Sequence, residues 1–216
     1  VLCLLFLLSM FKVRSQQLRF KAITSDEGLS TNYITCVLQD DMGFMWFGSQ
    51  DGLNKYDGRQ VRIFKHDPTS ENTLSNSEIT ALCQVRHDLL LVGTREGLNF
   101  FNPVLAQFSR LQNSEKGIEG KINVIFRVDS LNVLVGTEEG LFMINPDARV
   151  IKNRLFKVAE KVNVKCIEKV KDKLFIGTFG QGLWRVTGNT AEKVELVKPD
   201  LFNVEDAELL NINCLG

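Results

Sequence analysis

The sequence predicts an all-β fold made of repeated four-stranded antiparallel sheets, arranged as the blades of a β-propeller. A glycine motif returns four times, at Gly48, Gly93, Gly136 and Gly177, with spacings of 45, 43 and 41 residues. No segment of the 216-residue chain has the apolar period of a long amphipathic helix. A period near 42 residues with four short apolar runs per unit is typical of a propeller blade.

Each unit reads as four strands joined by three hairpin turns. The first strands begin the unit, the glycine motif supplies the second and third strands, and a further apolar run supplies the fourth. The first strands start at Ile34, Ile79, Ile122 and Val164, and the fourth strands lie in runs that start at Val61, Ala106, Val150 and Glu192. These runs are rich in Val, Ile, Leu and Phe, which suit a pleated surface.

The turns have the chemistry of tight hairpins. Asp40, Asp41 and Gly43 are expected to close the first hairpin of the first unit. The second hairpins end in Asp51-Gly52, Glu96-Gly97 and Glu139-Gly140, where glycine permits the positive φ that such turns need. The fourth unit has one extra residue in this turn.

A single four-stranded sheet cannot bury both of its faces, but stacked blades bury them against one another. The large aromatic residues are therefore predicted to form a core between blades, namely Trp46, Phe47, Phe101, Phe142, Phe175 and Trp184. The alternative for Trp46 or Trp184 is an exposed aromatic platform that stacks on a sugar.

The chain divides into a targeting segment and a propeller. Residues 1–15 form an apolar run followed by Lys12 and Arg14, as in a secretory signal peptide, and a buried core helix is the alternative. Residues 16–216 are expected to hold four blades, at about 30–68, 75–113, 118–158 and 160–199, and the start of a fifth near 209. Leu18–Thr24 resembles the end of the first unit and is expected to be a leading outer strand. We therefore expect an incomplete ring that is part of a longer chain.

Composition excludes several classes of function. Lys plus Arg and Asp plus Glu both number 26, so the basic excess of a nucleic-acid binder is missing. Beyond the signal segment, the cysteines are Cys36, Cys83, Cys166 and Cys214. None forms a CxxC pair, so a zinc site is not expected. They are predicted to be small buried residues, with a disulfide left open.

No chemical site stands out from the repeat. The run of residues 177–182, GTFGQG, lacks the Lys-Ser/Thr of a phosphate loop and aligns with the second hairpin turns. His66 and His87 lie in loops and are not in a phospho-acceptor context. Asp51, Glu96 and Glu139 could line a calcium or acid–base site, but repeated turn chemistry explains them better. We therefore expect no catalytic, cofactor or metal residue, and the ligand-binding residues stay unassigned.

The first unit is similar to the two-component regulator propeller repeat. The matching positions in GLSTNYITCVLQDDMGFMWFGSQDGLNKYDG are Ile34, Val37, Asp40, Gly43, Trp46, Gly48, Gly52 and Leu53. Units two to four keep the glycine-Thr and glycine-Leu cores but lack the Trp. The resemblance implies the periplasmic sensor of a hybrid histidine kinase, which detects oligosaccharides from polysaccharide breakdown. It also implies a homodimer formed through downstream domains, and a transmembrane helix and kinase outside this sequence.

Two other classes of function stay open at this stage. A secreted propeller enzyme, either a glycosidase or a polysaccharide lyase, would need converging carboxylates that a sequence cannot show. A protein-binding scaffold would need no chemical site at all. The sensor is favoured, with no enzymatic activity in this part of the chain.

Overall fold

The computed structural model describes residues 20–111, 117–118, 120–155, 161–187 and 193–197. It contains four sheets of four strands, here called blades 1 to 4. Blade 1 holds β1 (Ile34–Gln39), β2 (Met45–Ser49), β3 (Gly52–Tyr56) and β4 (Val61–Phe64). Blade 2 holds β5 (Ile79–Arg86), β6 (Leu89–Thr94), β7 (Gly97–Asn102) and β8 (Gln107–Ser109). Blade 3 holds β9 (Ile122–Arg127), β10 (Val133–Thr137), β11 (Leu141–Asn145) and β12 (Val150–Arg154). Blade 4 holds β13 (Val164–Val170), β14 (Lys173–Thr178), β15 (Leu183–Thr187) and β16 (Lys193–Val197).

Every blade has its strands side by side in chain order, and all of their pairings are antiparallel. The predicted all-β fold of four four-stranded blades is therefore confirmed. Among the described residues the only helix is a 3₁₀ turn at Ser25–Glu27. No helix in this part of the chain is long and apolar enough to cross a bilayer.

The leading outer strand is not formed in the part of its range that the structure describes. Residues 20–24 belong to no strand, and Phe20 is 93% exposed. Thr24 instead caps the 3₁₀ turn, because its hydroxyl accepts from the Asp26 backbone N–H at 3.2 Å, and its own backbone N–H donates to the Glu27 carboxylate at 2.9 Å. A strand needs a neighbouring edge, and no described strand lies beside these residues. The predicted signal peptide, Cys214 and the start of a fifth blade lie outside the described residues.

Apolar side chains fill the space between consecutive blades, as predicted. Trp46 and Phe101 are fully buried between blades 1 and 2, with ring centroids 5.6 Å apart. Phe175 is also buried. Phe142 and Trp184 are half-buried but pack against the cores on either side of blade 3. Phe47 is only half-buried, since it lies on the face of blade 1 that is turned away from blade 2.

The repeated glycine in the second strands of blades 1 to 3 is explained by the close approach of the next blade. A Cβ atom on Gly48 would lie 2.7 Å from Ile79 Cγ2, at the start of β5. The same construction places a Cβ on Gly93 2.7 Å from Ile122 Cγ2, and one on Gly136 2.5 Å from Val164 Cγ1. Each glycine therefore makes room for the first residue of the following blade.

Candidate functional site

The Asp and Trp of the repeat motif take part in a hydrogen-bond network that stabilises the first turn of blade 1. Asp40 Oδ1 accepts hydrogen bonds from the backbone N–H groups of Met42 and Phe44, at 3.0 and 2.9 Å. Its other oxygen accepts from Trp46 Nε1 at 2.8 Å. Because the indole is 1% exposed and its polar atom is occupied, Trp46 is a core residue and not a platform for sugars.

Two of the three acidic residues in the second turns form ion pairs with nearby lysines. Asp51 pairs with Lys65 at 2.6 Å, and Glu139 pairs with Lys161 at 2.8 Å. The second turns of blades 2 and 3 share one geometry. The Thr94 hydroxyl accepts a hydrogen bond from the Glu96 backbone N–H at 3.1 Å, and the Thr137 hydroxyl accepts one from the Glu139 backbone N–H. Within the described ranges, no group of His, Cys, Asp and Glu has the arrangement of a metal site. Turn chemistry accounts for the recurrence of these carboxylates.

A buried polar cluster, which sequence reasoning missed, fastens the loop before each of the first two blades. Asn99 is fully buried, and its Oδ1 accepts from the Ser75 backbone N–H at 2.8 Å. Its Nδ2 donates to Ser75 Oγ at 2.9 Å and to the Val92 carbonyl at 3.1 Å. In blade 1, Asn54 Oδ1 likewise accepts from the Ser30 backbone N–H at 2.8 Å. The signal was available, because an Asn follows the motif leucine only in the two units that are preceded by Leu-Ser.

The two histidines contact neighbouring loops. His66 Nδ1 lies 2.5 Å from the Leu74 carbonyl oxygen. His87 Nδ1 lies 3.2 Å from Asp41 Oδ1, and the Gln84 amide donates to the same oxygen at 2.7 Å. The hydrogen bond from Gln84 lowers the pKa of Asp41, and His87 adds to the effect. These contacts connect the first turn of blade 1 to blade 2.

The cysteines in the described ranges have packing roles. Cys36 and Cys83 are half-buried free thiols, and burial raises the pKa of both. The Cys36 side chain lies over Gly48 of the neighbouring strand, and Cys166 occupies the same place over Gly177. A raised thiol pKa leaves less of the reactive thiolate at neutral pH.

An exposed aromatic residue lies in blade 4. Phe179, in the second turn of blade 4, is 72% exposed, and the Lys165 ammonium lies 5.6 Å from its ring centroid. The sequence predicts a second hairpin turn here but does not single out Phe179. Trp184, the other predicted platform, packs into the core between blades 3 and 4.

Two clefts lie at opposite edges of blade 2, and one of them opens between blades 2 and 3. The first turns of the four blades and the third turns of blades 1 to 3 lie at one edge, here called the lower edge, and the second turns lie at the upper edge. The upper cleft has a volume of 300 Å³. Its polar groups are largely engaged in hydrogen bonds, since the Ser75 backbone N–H donates to Asn99 and Arg110 donates to the Thr73 carbonyl at 2.6 Å. The lower cleft has a volume of 180 Å³ and is lined by residues of both blades.

The third turns of blades 2 and 3 form two walls of the lower cleft, and their backbones match. Asn102 Oδ1 accepts from the backbone N–H groups two and three residues ahead, at 2.9 Å each, and Asn145 does so at 2.9 and 3.1 Å. Ala106 and Arg149 then occupy the same left-handed conformation, with φ of 55° and 53°. The side chains differ, however, since only the turn of blade 3 presents an Asp and an Arg to the cleft.

An ion pair crosses the lower cleft from one blade to the next. Arg86, at the end of β5, pairs with Asp147 of blade 3 and with Asp88 of its own turn, the latter at 2.7 Å. These three side chains are 46 to 50% exposed. Arg149 makes no hydrogen bond or ion pair with any other residue in the described part of the chain, so its guanidinium is available to a ligand.

Comparison with protein families and with curated proteins identifies the repeat. Residues 28–51 match the model of the two component regulator propeller. A stretch of 70 residues, 32% of this chain, is 34% identical to histidine kinase P4 of Formosa agariphila. The chain spans 5% of the length of that relative.

Solved structures show the same fold. An extracellular domain assigned to the one component system BT4673 of B. thetaiotaomicron aligns with 79% of this chain and 22% of its own, at a TM-score of 0.63 and 23% identity. An extracellular domain assigned to the hybrid two component system BT3049 of the same organism aligns with 81% of this chain and 31% of its own, at 0.54 and 18%. The computationally designed Ika4 protein aligns over its whole length, with 83% of this chain, at 0.56 and 14%. Residues 28–51 therefore match the two-component regulator propeller repeat, and the chain around them has a blade fold like that of the extracellular domains of two component systems.

Proposed function

We propose that this chain is part of the extracytoplasmic sensor of a two-component histidine kinase and that it detects oligosaccharides released from polysaccharides. The repeat at residues 28–51 is the observation that carries the proposal, because it occurs on a scaffold of four blades and the relative that matches is a histidine kinase. On this proposal the propeller lies in the periplasm. The kinase, the transmembrane helix and the contacts of a homodimer belong to other parts of the protein.

The fold suits a sensor that has no chemistry of its own. Blades are stiff sheets, and the lower cleft is lined by residues of two blades. A ligand that contacts both walls favours one relative position of the blades over another. It can shift a signalling equilibrium only by the difference between its affinities for the two states.

Thermal unfolding of the purified chain with oligosaccharides from enzymatic digests of polysaccharides tests the proposal. A sugar present at a hundred times its Kd adds about 2.7 kcal/mol to the free energy of unfolding. At about 2–4 °C per kcal/mol for a chain of this size, the midpoint rises by about 5–11 °C. Chromatography of the sugar after incubation is the control, and it should show no cleavage. Cleavage would favour a secreted enzyme, and a protein partner without any response to sugar would favour a scaffold.

A further inference from the structure

We propose that the lower cleft between blades 2 and 3 binds one neutral pyranose unit of the oligosaccharide, with Arg149 and Gln107 as its principal hydrogen-bond donors. The inference rests on the proposed function and adds a site and a ligand class to it. The volume of 180 Å³ corresponds to about six water molecules at roughly 30 Å³ each. Such a cleft accommodates a single sugar ring and leaves the rest of an oligosaccharide outside.

The polar groups of the cleft are placed for a ligand with many hydroxyl groups. Arg149 and the Gln107 side chain have no hydrogen-bond partner among the residues that the structure describes. Asp88 and Asp147 each use only Oδ1 for Arg86, so their second oxygens remain as acceptors. The cleft therefore offers both donors and acceptors, as sugar hydroxyls require, because each hydroxyl both donates and accepts.

The charge of the cleft favours a neutral sugar over an anionic one. The cleft contains two arginines and two aspartates, and Arg86 already pairs with both carboxylates, those of Asp88 and Asp147. A uronate or sulfate near Arg149 would also lie near Asp147, two residues away in the same turn. The repulsion between these like charges would offset the attraction of the guanidinium.

Leu105 provides an apolar surface for the C–H face of the ring, because it is 63% exposed at the rim. Pro146 of the opposite wall is buried. Phe100 and Phe108 lie beneath and are buried, so they support the cleft without offering a stacking face. A ligand pocket of this kind combines an apolar wall with a few directed polar groups.

The site also has a physical route to signalling. Because Arg86 of blade 2 pairs with Asp147 of blade 3, a sugar hydroxyl that binds either group acts on the contact between the two blades. The occupied cleft thus joins blade 2 to blade 3 more firmly than the ion pair does alone.

Isothermal titration of the full chain with cellotetraose, mannotetraose, xylotetraose, β-1,4-galactotetraose and tetragalacturonate tests the site. We expect at least one neutral tetrasaccharide to bind and tetragalacturonate to bind more weakly. Arg149→Ala and Gln107→Ala should each raise the Kd at least tenfold, which corresponds to about 1.4 kcal/mol. Alanine is compatible with the fold at position 149, because Ala106 has the same backbone conformation in blade 2. Arg59→Ala, an exposed arginine in the third turn of blade 1, is the matched control and should leave the Kd unchanged.

The outcomes separate this inference from the proposed function. If a neutral sugar binds and both cleft variants bind as tightly as the wild type, the site is wrong while sugar sensing stands. If only Phe179→Ala loses binding, the proposed site is also wrong while sugar sensing stands, and the sugar binds at the exposed ring of blade 4. Preferential binding of tetragalacturonate would overturn the neutral class. If none of the five sugars binds, both the site and oligosaccharide sensing are contradicted.

Discussion

Replacing Gly93 by alanine should destabilise the contact between blades 2 and 3. The new Cβ would lie 2.7 Å from Ile122 Cγ2, 2.8 Å from Ile122 Cβ and 3.3 Å from Ala81 Cβ. Ile122 is fully buried at the start of β9, in the core shared by the two blades. Since the contacting atoms are short branched groups beside the backbone, rotation of a side chain cannot relieve the overlap.

Two opposing effects set the size of the change. Overpacking a tight core costs typically 1–3 kcal/mol. Alanine within a strand is favoured over glycine by roughly 0.5–1 kcal/mol, which offsets part of that cost. The expected net loss is about 1–2 kcal/mol, so the unfolding midpoint should fall by about 2–8 °C.

Differential scanning calorimetry of the wild type, Gly93→Ala and Gly117→Ala measures the effect. Gly117 is the matched control, because a Cβ there would have no atom within 4 Å and its φ is not positive. The control midpoint should stay within about 2 °C of the wild type, since open surface sites change stability by less than about 0.5 kcal/mol. An unchanged or higher midpoint for Gly93→Ala would refute the idea that close blade approach explains the repeated glycine.

Three further predictions follow from other contacts. Asn99→Ala should cost about 1–3 kcal/mol in a urea titration, because it leaves a buried loop amide without its acceptor, and a cost below 0.5 kcal/mol would contradict this role. Asp41→Asn should lower the thermal midpoint at neutral pH. Since the bond from Gln84 lowers the pKa of Asp41, the stabilisation is present above about pH 3.9, the usual unfolded value, and the difference between the two proteins should disappear as pH falls below the folded pKa. Cys36 and Cys83 should resist iodoacetamide at pH 8 until urea unfolds the chain, as peptide mass spectrometry would show, and rapid native labelling would contradict their burial.

The blades could be predicted because the repeat shows the same physical requirement four times. A single glycine such as Gly93 has many explanations, but four glycines at almost equal spacing indicate one recurring contact. The same holds for the second turns, where Gly52, Gly97 and Gly140 all have a positive φ in the structure. Repetition therefore compensates for the weakness of each short strand signal.

Features that depend on a partner elsewhere in the chain were harder to predict. The leading strand was inferred from its likeness to the end of the first unit, but likeness does not supply an edge to pair with, and Thr24 starts a 3₁₀ turn instead. The Asn99 cluster joins residues 24 positions apart. Its polar side chains, those of Ser75, Thr94 and Asn99, look like ordinary loop and strand residues when each is considered alone. In both cases the missing information is long-range geometry.

On the proposed function, ligand recognition comes from positions where the blades differ, and a reading of the repeats in the sequence does not single out such positions. Whatever every blade shares is needed by every blade for folding, as the Asn102 and Asn145 turns show with their matching hydrogen bonds and left-handed residues. The turn of blade 2 uses this backbone to present Val104, Leu105 and Ala106, whereas that of blade 3 presents an Asp and an Arg on the same frame. A search for recurring motifs discards those differences. Only the structure shows that the two turns face each other across one cleft, where the departures from the repeat are brought together.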